Sequence, residues 1–195
     1  MCGIFSLFNN VHNGEMVLSD DFIRDCFFKA KARGPETSVY NSQYSGIIFG
    51  FHRLSINGLN SKSDQPICVD DCVLICNGEI YNYKSLYSQL PDNAAQTDSD
   101  CEVIIHMYRK YGIEYTLQNL DGVFAFVLYD KSNNNIYIAR DPYGVRPLYF
   151  TTILQSNTMV YASEQKQLAG IENREDIQQF QPGHYSELGL DHNWK

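Results

Sequence analysis

The chain opens on an apolar run, Ile4 to Phe8, that predicts a strand starting almost at the first residue. Ser19 can then cap a helix in which Phe22, Ile23, Cys26, Phe27 and Ala30 fall on one face, with Gly34-Pro35 as the stop. Gly46 to Phe51 reads as a buried strand, followed by an Asn57-Gly58 turn. Cys72-Val73-Leu74-Ile75-Cys76 is another short buried run, and Tyr83 to Leu90 predicts a short helix closed by Pro91. Ser99-Asp100-Cys101-Glu102 fits a capping box, with Val103, Ile104, Met107, Tyr108 and Tyr111 forming a helical face that Gly112 ends. Beyond Gly122 the runs Val123–Tyr129, Ile136–Arg140, Leu148–Ile153 and Met159–Ala162 are strand-like and separated by turn chemistry. Strands therefore dominate both ends, with two helices of consequence between them. The pattern predicts an α+β layer architecture: two sheets packed together, with helices on the outer faces.

No internal repeat, charge block or Ser/Gly-rich linker divides the chain, so residues 1–195 read as a single domain. A globule of that length buries roughly 70% of the surface its unfolded chain exposes and needs no staples. An aromatic content of 13% excludes a disordered chain, and a net charge of −8 argues against a nucleic-acid partner. No Lys or Arg precedes Arg24, so the basic start of a secretory signal is missing, and runs such as Ile47-Ile48-Phe49 are too short to span a membrane. Six cysteines in such a chain fit a reducing cytosol, which makes a cytoplasmic location the expectation. Cys68, Cys72 and Cys76 lie four apart like a metal series, but zinc ligands are usually spaced closer, and a buried strand is the simpler account.

The remaining cysteine stands at position 2. Once Met1 is removed, Cys2 carries a free α-amino group beside its own thiol. With an ordinary pKa of ~7.7–8.0, that amine is partly neutral near pH 7 and can accept the thiol proton, directly or through one water. Such a pair needs no histidine, and the five histidines offer no evident triad partner.

Met1-Cys2-Gly3-Ile4-Phe5, Arg33-Gly34-Pro35, Arg53-Leu54-Ser55-Ile56, Gln65-Pro66 and Asn77-Gly78-Glu79-Ile80-Tyr81-Asn82 occur in that order. Ser99-Asp100-Cys101-Glu102-Val103-Ile104, Asp121-Gly122-Val123-Phe124-Ala125-Phe126, Ala139-Arg140-Asp141-Pro142-Tyr143-Gly144-Val145-Arg146-Pro147-Leu148-Tyr149, Ser163-Glu164 and Pro182-Gly183 follow. The ordered set resembles the glutaminase domain of class II glutamine amidotransferases, most closely that of glutamine-hydrolysing asparagine synthetases, from Cys2 to about Leu188. It departs in Glu36, where Asp commonly follows Arg-Gly-Pro.

The resemblance implies a four-layer αββα sandwich of the N-terminal-nucleophile hydrolase type. It also implies hydrolysis of the glutamine side-chain amide to glutamate and ammonia through a Cys2 thioester. Arg53 can hold the substrate carboxylate with its planar fork, and Asp100 matches the ligand of the α-ammonium. Asn77 and Gly78 match the oxyanion hole, against the plain alternative of an Asn-Gly hairpin turn. Glu79 is expected to line the glutamine pocket through its backbone. Asp141-Pro142-Tyr143-Gly144 is turn chemistry in a supporting role. No metal or organic cofactor is expected for the glutaminase reaction. ATP and Mg belong to a synthetase domain with no counterpart in this chain, so the expected partners are L-glutamine and a synthetase domain or subunit that accepts ammonia. The resemblance leaves a homodimer open, as it does the glutaminase part of an amidophosphoribosyltransferase or glucosamine-phosphate synthase. A different class of alternative is a catalytically silent interaction module, which a retained Met1 would favour.

Overall fold

The computed structural model describes residues 1–44, 46–189 and 193–194. Its elements begin β1 (Gly3–Phe8), β2 (Val11–His12), β3 (Glu15–Met16), α1 (Asp20–Phe28), β4 (Thr37–Tyr44), β5 (Ile47–Arg53), β6 (Ile67–Val69) and β7 (Cys72–Ile80). They continue α2 (Tyr83–Tyr87), α3 (Val103–Tyr111), α4 (Ile113–Asn119), β8 (Gly122–Asp130), β9 (Asn135–Arg140) and β10 (Tyr149–Ile153). Last come β11 (Thr158–Ala162), β12 (Gln178–Gln179), β13 (Tyr185–Gly189) and β14 (Asn193–Trp194). The chain divides into two compact units, Met1–Leu54 with Pro147–Gln181 and Ser55–Arg146 with Pro182–Lys195.

The first unit is built on a six-stranded antiparallel sheet in the order β12-β10-β11-β1-β5-β4. Phe5 and Leu7 of β1 pack with Ile48, Val160 and Ala162 against Ile23, Cys26 and Phe27 of α1. Ile4, Ser6 and Phe8 point the other way and are buried as well. A strand buried on both faces has no reason to alternate, which is why the N-terminal run is apolar throughout except at Ser6. Ser19 caps α1 as expected, accepting from the Phe22 N–H, and Asp20 and Asp21 complement the helix dipole in the first turn. Gly50 stands opposite Phe5, and a Cβ there would come within 2.6 Å of the Phe27 ring. The missing side chain is what lets α1 lie so close to the sheet. β4 escapes the sequence pattern because it is a half-exposed edge strand rich in Ser, Asn, Gln and Tyr.

The second unit carries the antiparallel sheet β14-β13-β9-β8-β7-β6. Cys72, Leu74, Cys76 and Ile80 of β7 pack against Val103, Ile104, Met107 and Tyr108 of α3. Cys68 pairs across from Val73 and so faces away from Cys72 and Cys76. The cysteine series thus spans both faces of a sheet. β7 does not stop at Cys76 but pairs with β8 through Ile80. α2 is shorter than expected and ends at Tyr87, with turns carrying the chain on to Leu90. Gly112, at φ 81°, ends α3 as predicted, yet α4 starts immediately after it. Among the described residues no helix is long and apolar enough to cross a membrane.

Gly50→Ala tests how closely α1 is seated. Forcing a methyl group against Phe27 should lower stability by about 1–3 kcal/mol, read as a lower urea midpoint. An unchanged midpoint would show that the ring yields freely.

Candidate active site

In the first unit, Cys2 precedes β1 and its sulfur reaches the far end of β5. Sγ donates to the Leu54 carbonyl at 3.3 Å, and the Leu54 N–H points at Sγ from 3.4 Å. The thiol can use the carbonyl, whereas a thiolate is favoured by the N–H alone, so both protonation states find a backbone partner. The segment behind the sulfur is fastened at each residue. Arg33 Nε donates to the Cys2 carbonyl at 2.8 Å, and Gly3 pairs with His52. The Ile4 N–H donates to Ser163 Oγ at 2.9 Å, and the Ile4 carbonyl accepts the Ser163 N–H at 3.0 Å.

Arg53, the last residue of β5, is buried beside that same corner. Gly34 lies flat on it: a Cβ at Gly34 would overlap the His52 carbonyl and crowd the Arg53 backbone. The Glu36 N–H donates to the Arg53 carbonyl at 3.2 Å. Arg-Gly-Pro is therefore more than a helix stop; it supports both Cys2 and Arg53. His52 faces the other way, its ring stacked on Phe27 at 4.0 Å, with Nε2 2.9 Å from the Phe27 carbonyl and Nδ1 2.8 Å from Ser38 Oγ. Burial pushes its pKa below the ordinary 6.5 against the pull of the Phe27 carbonyl, so it is neutral at pH 7 and engaged at both nitrogens.

In the second unit, Asn77 and Gly78 stand within β7, which removes the hairpin-turn alternative. Gly78 pairs with Phe124, but Phe124 gives its N–H to Asp141 Oδ2 at 3.2 Å and its carbonyl to the Asp141 N–H at 2.8 Å. By antiparallel alternation the Gly78 N–H then points toward the β6 side, where the register with β6 ends at Leu74. The flanking residues on that edge are already occupied. Gln65 brackets Cys76, accepting its N–H at 2.6 Å and donating to its carbonyl at 3.1 Å. The Ile80 N–H goes to Asp100 Oδ2 at 2.6 Å. The Gly78 N–H is directed out between these two. A Cβ at Gly78 would sit 2.7 Å from the Val123 carbonyl oxygen, so only glycine fits.

Asn77 projects from the face of β7 opposite α3 and is 1% exposed. Its Nδ2 has no hydrogen-bond partner among the described residues. A buried donor left unmatched costs about 1–3 kcal/mol, so it calls for an explanation. Glu79 is half-buried, two residues on along the same face. Asp100 is buried at the turn that leads into α3. Burial raises its pKa above the ordinary carboxylate value, against bonds from the Ile80, Asp100 and Cys101 N–H groups and the Asn57 side chain.

The expected capping box is not made, since Ser99 forms no side-chain cap. Glu102 instead turns back to accept the Gln96 N–H at 2.7 Å and the Thr97 N–H at 2.6 Å, with His106 Nε2 at 2.8 Å. It ties down the loop that delivers Asp100. Burial alone would raise its pKa, but these bonds win and hold it below 4.5.

The structure thus joins Cys2 with Arg53 in one unit, and Asn77, Gly78, Glu79 and Asp100 in the other. Reasoning from sequence missed Arg33, Gln65 and Asn57 as supports. Asp141 is fully buried and accepts the N–H groups of Phe124, Tyr143, Val145 and Arg146, confirming the supporting character of its turn. Gln65 and Asp141 sat in quoted motifs, but which backbone atoms they hold is a tertiary fact. Among the described residues no three His, Cys, Asp or Glu cluster as a metal site.

The model of the glutamine amidotransferase domain matches residues 1–185. Glutamine-hydrolyzing asparagine synthetases of Mesocricetus auratus and Homo sapiens are each 38% identical over 208 residues, covering 100% of this chain and 35% of those proteins. The chain therefore spans about a third of the length of the curated relatives it matches. Among solved structures, the glutamine phosphoribosylpyrophosphate amidotransferase of B. subtilis aligns with a TM-score of 0.75 at 19% identity, over 99% of this chain and 48% of that one. That likeness concerns the fold, and it agrees with the α+β class expected from the pattern.

Glu102→Gln gives a pH test of the loop anchor. A carboxylate with a lowered folded pKa stabilises above its ordinary value, and that stability disappears as pH falls through the folded one. The variant should be less stable than wild type by about 1–3 kcal/mol at pH 7, and the gap should close as pH falls below 4.5. A gap constant with pH in denaturant titrations would mean that the charge of Glu102 does not contribute.

Proposed function

Because the chain belongs to the glutamine amidotransferase domain family, we propose that it hydrolyses the side-chain amide of L-glutamine, with Cys2 as nucleophile. Its ammonia then serves asparagine synthesis by an ATP-dependent synthetase domain or subunit. The observation that carries this reading is Asn77: a buried amide N–H group without an acceptor, next to the outward N–H of Gly78. Two such donors form a preorganised site for an oxyanion, and the oxyanion is what an amide carbonyl becomes under attack.

The steps follow from the groups. With Met1 removed, the α-amine of Cys2 takes the thiol proton as sulfur attacks the carboxamide carbon. An S–C bond forms, and the carbonyl electron pair moves to oxygen, where Asn77 Nδ2 and the Gly78 N–H receive it. Collapse breaks the C–N bond, and the ammonium form of the amine returns its proton to the departing nitrogen, releasing ammonia. Water then attacks the thioester with the amine again as base, and glutamate leaves as the thiol re-forms. Arg53 takes the substrate carboxylate and Asp100 the α-ammonium, while Glu79 lines the pocket through its backbone. A buried carboxylate with a raised pKa suits Asp100, because an arriving ammonium supplies the counter-charge that burial denies it. These steps call for neither metal nor organic cofactor; ATP and Mg belong to the synthetase reaction. All six cysteines are thiols, the state maintained in a reducing compartment, and we assign the activity to the cytoplasm.

Glutamate release from glutamine by the purified chain, beside Cys2→Ala, is the direct test. Arg53→Ala and Asp100→Ala should mainly raise KM, whereas Asn77→Ala should lower kcat by ~10²–10³. Equal small effects from all three would remove the pocket. A retained Met1, with no covalent adduct from a glutamine-like electrophile, would favour a silent interaction module.

A further inference from the structure

The Asn57-Gly58 turn expected from the sequence is built into the second unit beside Asp100. Gly58, at φ 62°, folds the loop back so tightly that a Cβ there would overlap Ser63 Oγ. Ser63 Oγ accepts the Asp98 N–H at 3.2 Å, and Asn60 Nδ2 donates to Asp98 Oδ2 at 2.5 Å. Fastened in this way, the loop lets the Asn57 side chain hydrogen-bond to the Asp100 carboxylate. A carboxylate offers about four lone pairs. The N–H groups of Ile80, Asp100 and Cys101 and the side chain of Asn57 together bring four donors to it, with the Ile80 bond at 2.6 Å. The Cys101 thiol adds a weak contact at 3.9 Å. One donor has to leave when an ammonium arrives. Three are fixed: Ile80 belongs to β7, the Asp100 and Cys101 amides belong to the turn into α3, and all three residues are at most 4% exposed. Asn57 is exposed, and its donor swings on its own side-chain bonds.

We propose that Asn57 is a stand-in for the substrate: its side-chain amide holds the place of the α-ammonium on Asp100 and gives it up when glutamine binds. This rests on the reading of Asp100 as the ammonium ligand. The stand-in keeps a buried carboxylate supplied with donors before the cation comes, and a buried acceptor short of a donor is costly. The ammonium wins the exchange because its bond to a carboxylate is charge-assisted, roughly twice as strong as that of a neutral amide. A ligand of the same shape without the amine has nothing to offer Asp100 and leaves Asn57 in place. The stand-in also has a cost in affinity, since the carboxylate is open to glutamine only while Asn57 is displaced. Removing Asn57 therefore strengthens glutamine binding, whereas removing a support weakens it.

The test is calorimetric binding to the full chain carrying Cys2→Ala, which needs no turnover and does not consume the ligand. Adding Asn57→Ala should tighten glutamine binding roughly two- to tenfold, the worth of one hydrogen bond. It should not tighten glutaramate, which is glutamine without its amine. Without ligand, Asn57→Ala should have a lower urea midpoint, and saturating glutamine should close that gap, because the bond it lacks is already broken in the complex. Asn57→Val, which fills the space without a donor, should behave in the same way. In proton–nitrogen NMR spectra the side-chain amide signals of Asn57, identified by their loss in Asn57→Ala, should move with glutamine and stay with glutaramate. Glutamine binding that is unchanged or weaker in both Asn57 variants would overturn the proposal, and a merely loosened loop would show itself by weakening both ligands alike. Glutamine affinity untouched by Asp100→Asn, or no glutamine binding at all, would instead fault the reading of the pocket, and the proposal would fall with it.

Discussion

The structure depends on holding a chain terminus as still as a core strand. Termini ordinarily fray, because a residue with neighbours on one side only gains little from ordering. Here β1 is paired on both edges, with β5 and β11, and buried on both faces. Ser163 closes the ladder at Ile4 from both backbone atoms, and the loop at Arg33 closes it at Cys2. The Cys2 sulfur is therefore attached to a strand paired on both edges and buried on both faces, and both Leu54 backbone groups lie within hydrogen-bonding reach of it. Order at that end is the condition for everything chemical that follows.

The second unit answers with a different constraint, the removal of every competitor from one amide edge. Asp141 takes the Phe124 backbone for itself, Gln65 takes Cys76 and Asp100 takes Ile80. What remains is the N–H of Gly78 and the side chain of Asn77. Asp100 serves twice, as a clamp on the strand and as a buried carboxylate. Glu102, two residues later, is spent on the loop that carries it. Residues that look like helix-capping chemistry in the sequence are thus diverted to fixing a strand edge and the loop beside it.

Much of this was legible before any coordinates. The strand at Ile4–Phe8, the capped amphipathic α1 and the four late strands follow from the spacing of apolar residues. The edge strand β4 did not, because an edge can be polar and still pair. α4 was hidden because its helical face is short and begins on the residue after a glycine that ends α3. Asn77-Gly78 was ambiguous in isolation, as the same dipeptide that makes a hairpin also suits a strand whose neighbour presses too close for a Cβ. The front rank of the candidate site was reached only through the ordered motifs. Its supports were not, since a side chain that binds a distant backbone atom leaves no periodic trace.

The bond between Ile4 and Ser163 spans 159 positions of sequence. During translation the second residue emerges first, yet the partner that locks its strand follows only 159 residues after Ile4. A growing polypeptide on the ribosome therefore carries the Cys2 thiol on an unlocked strand until Ser163 has been made.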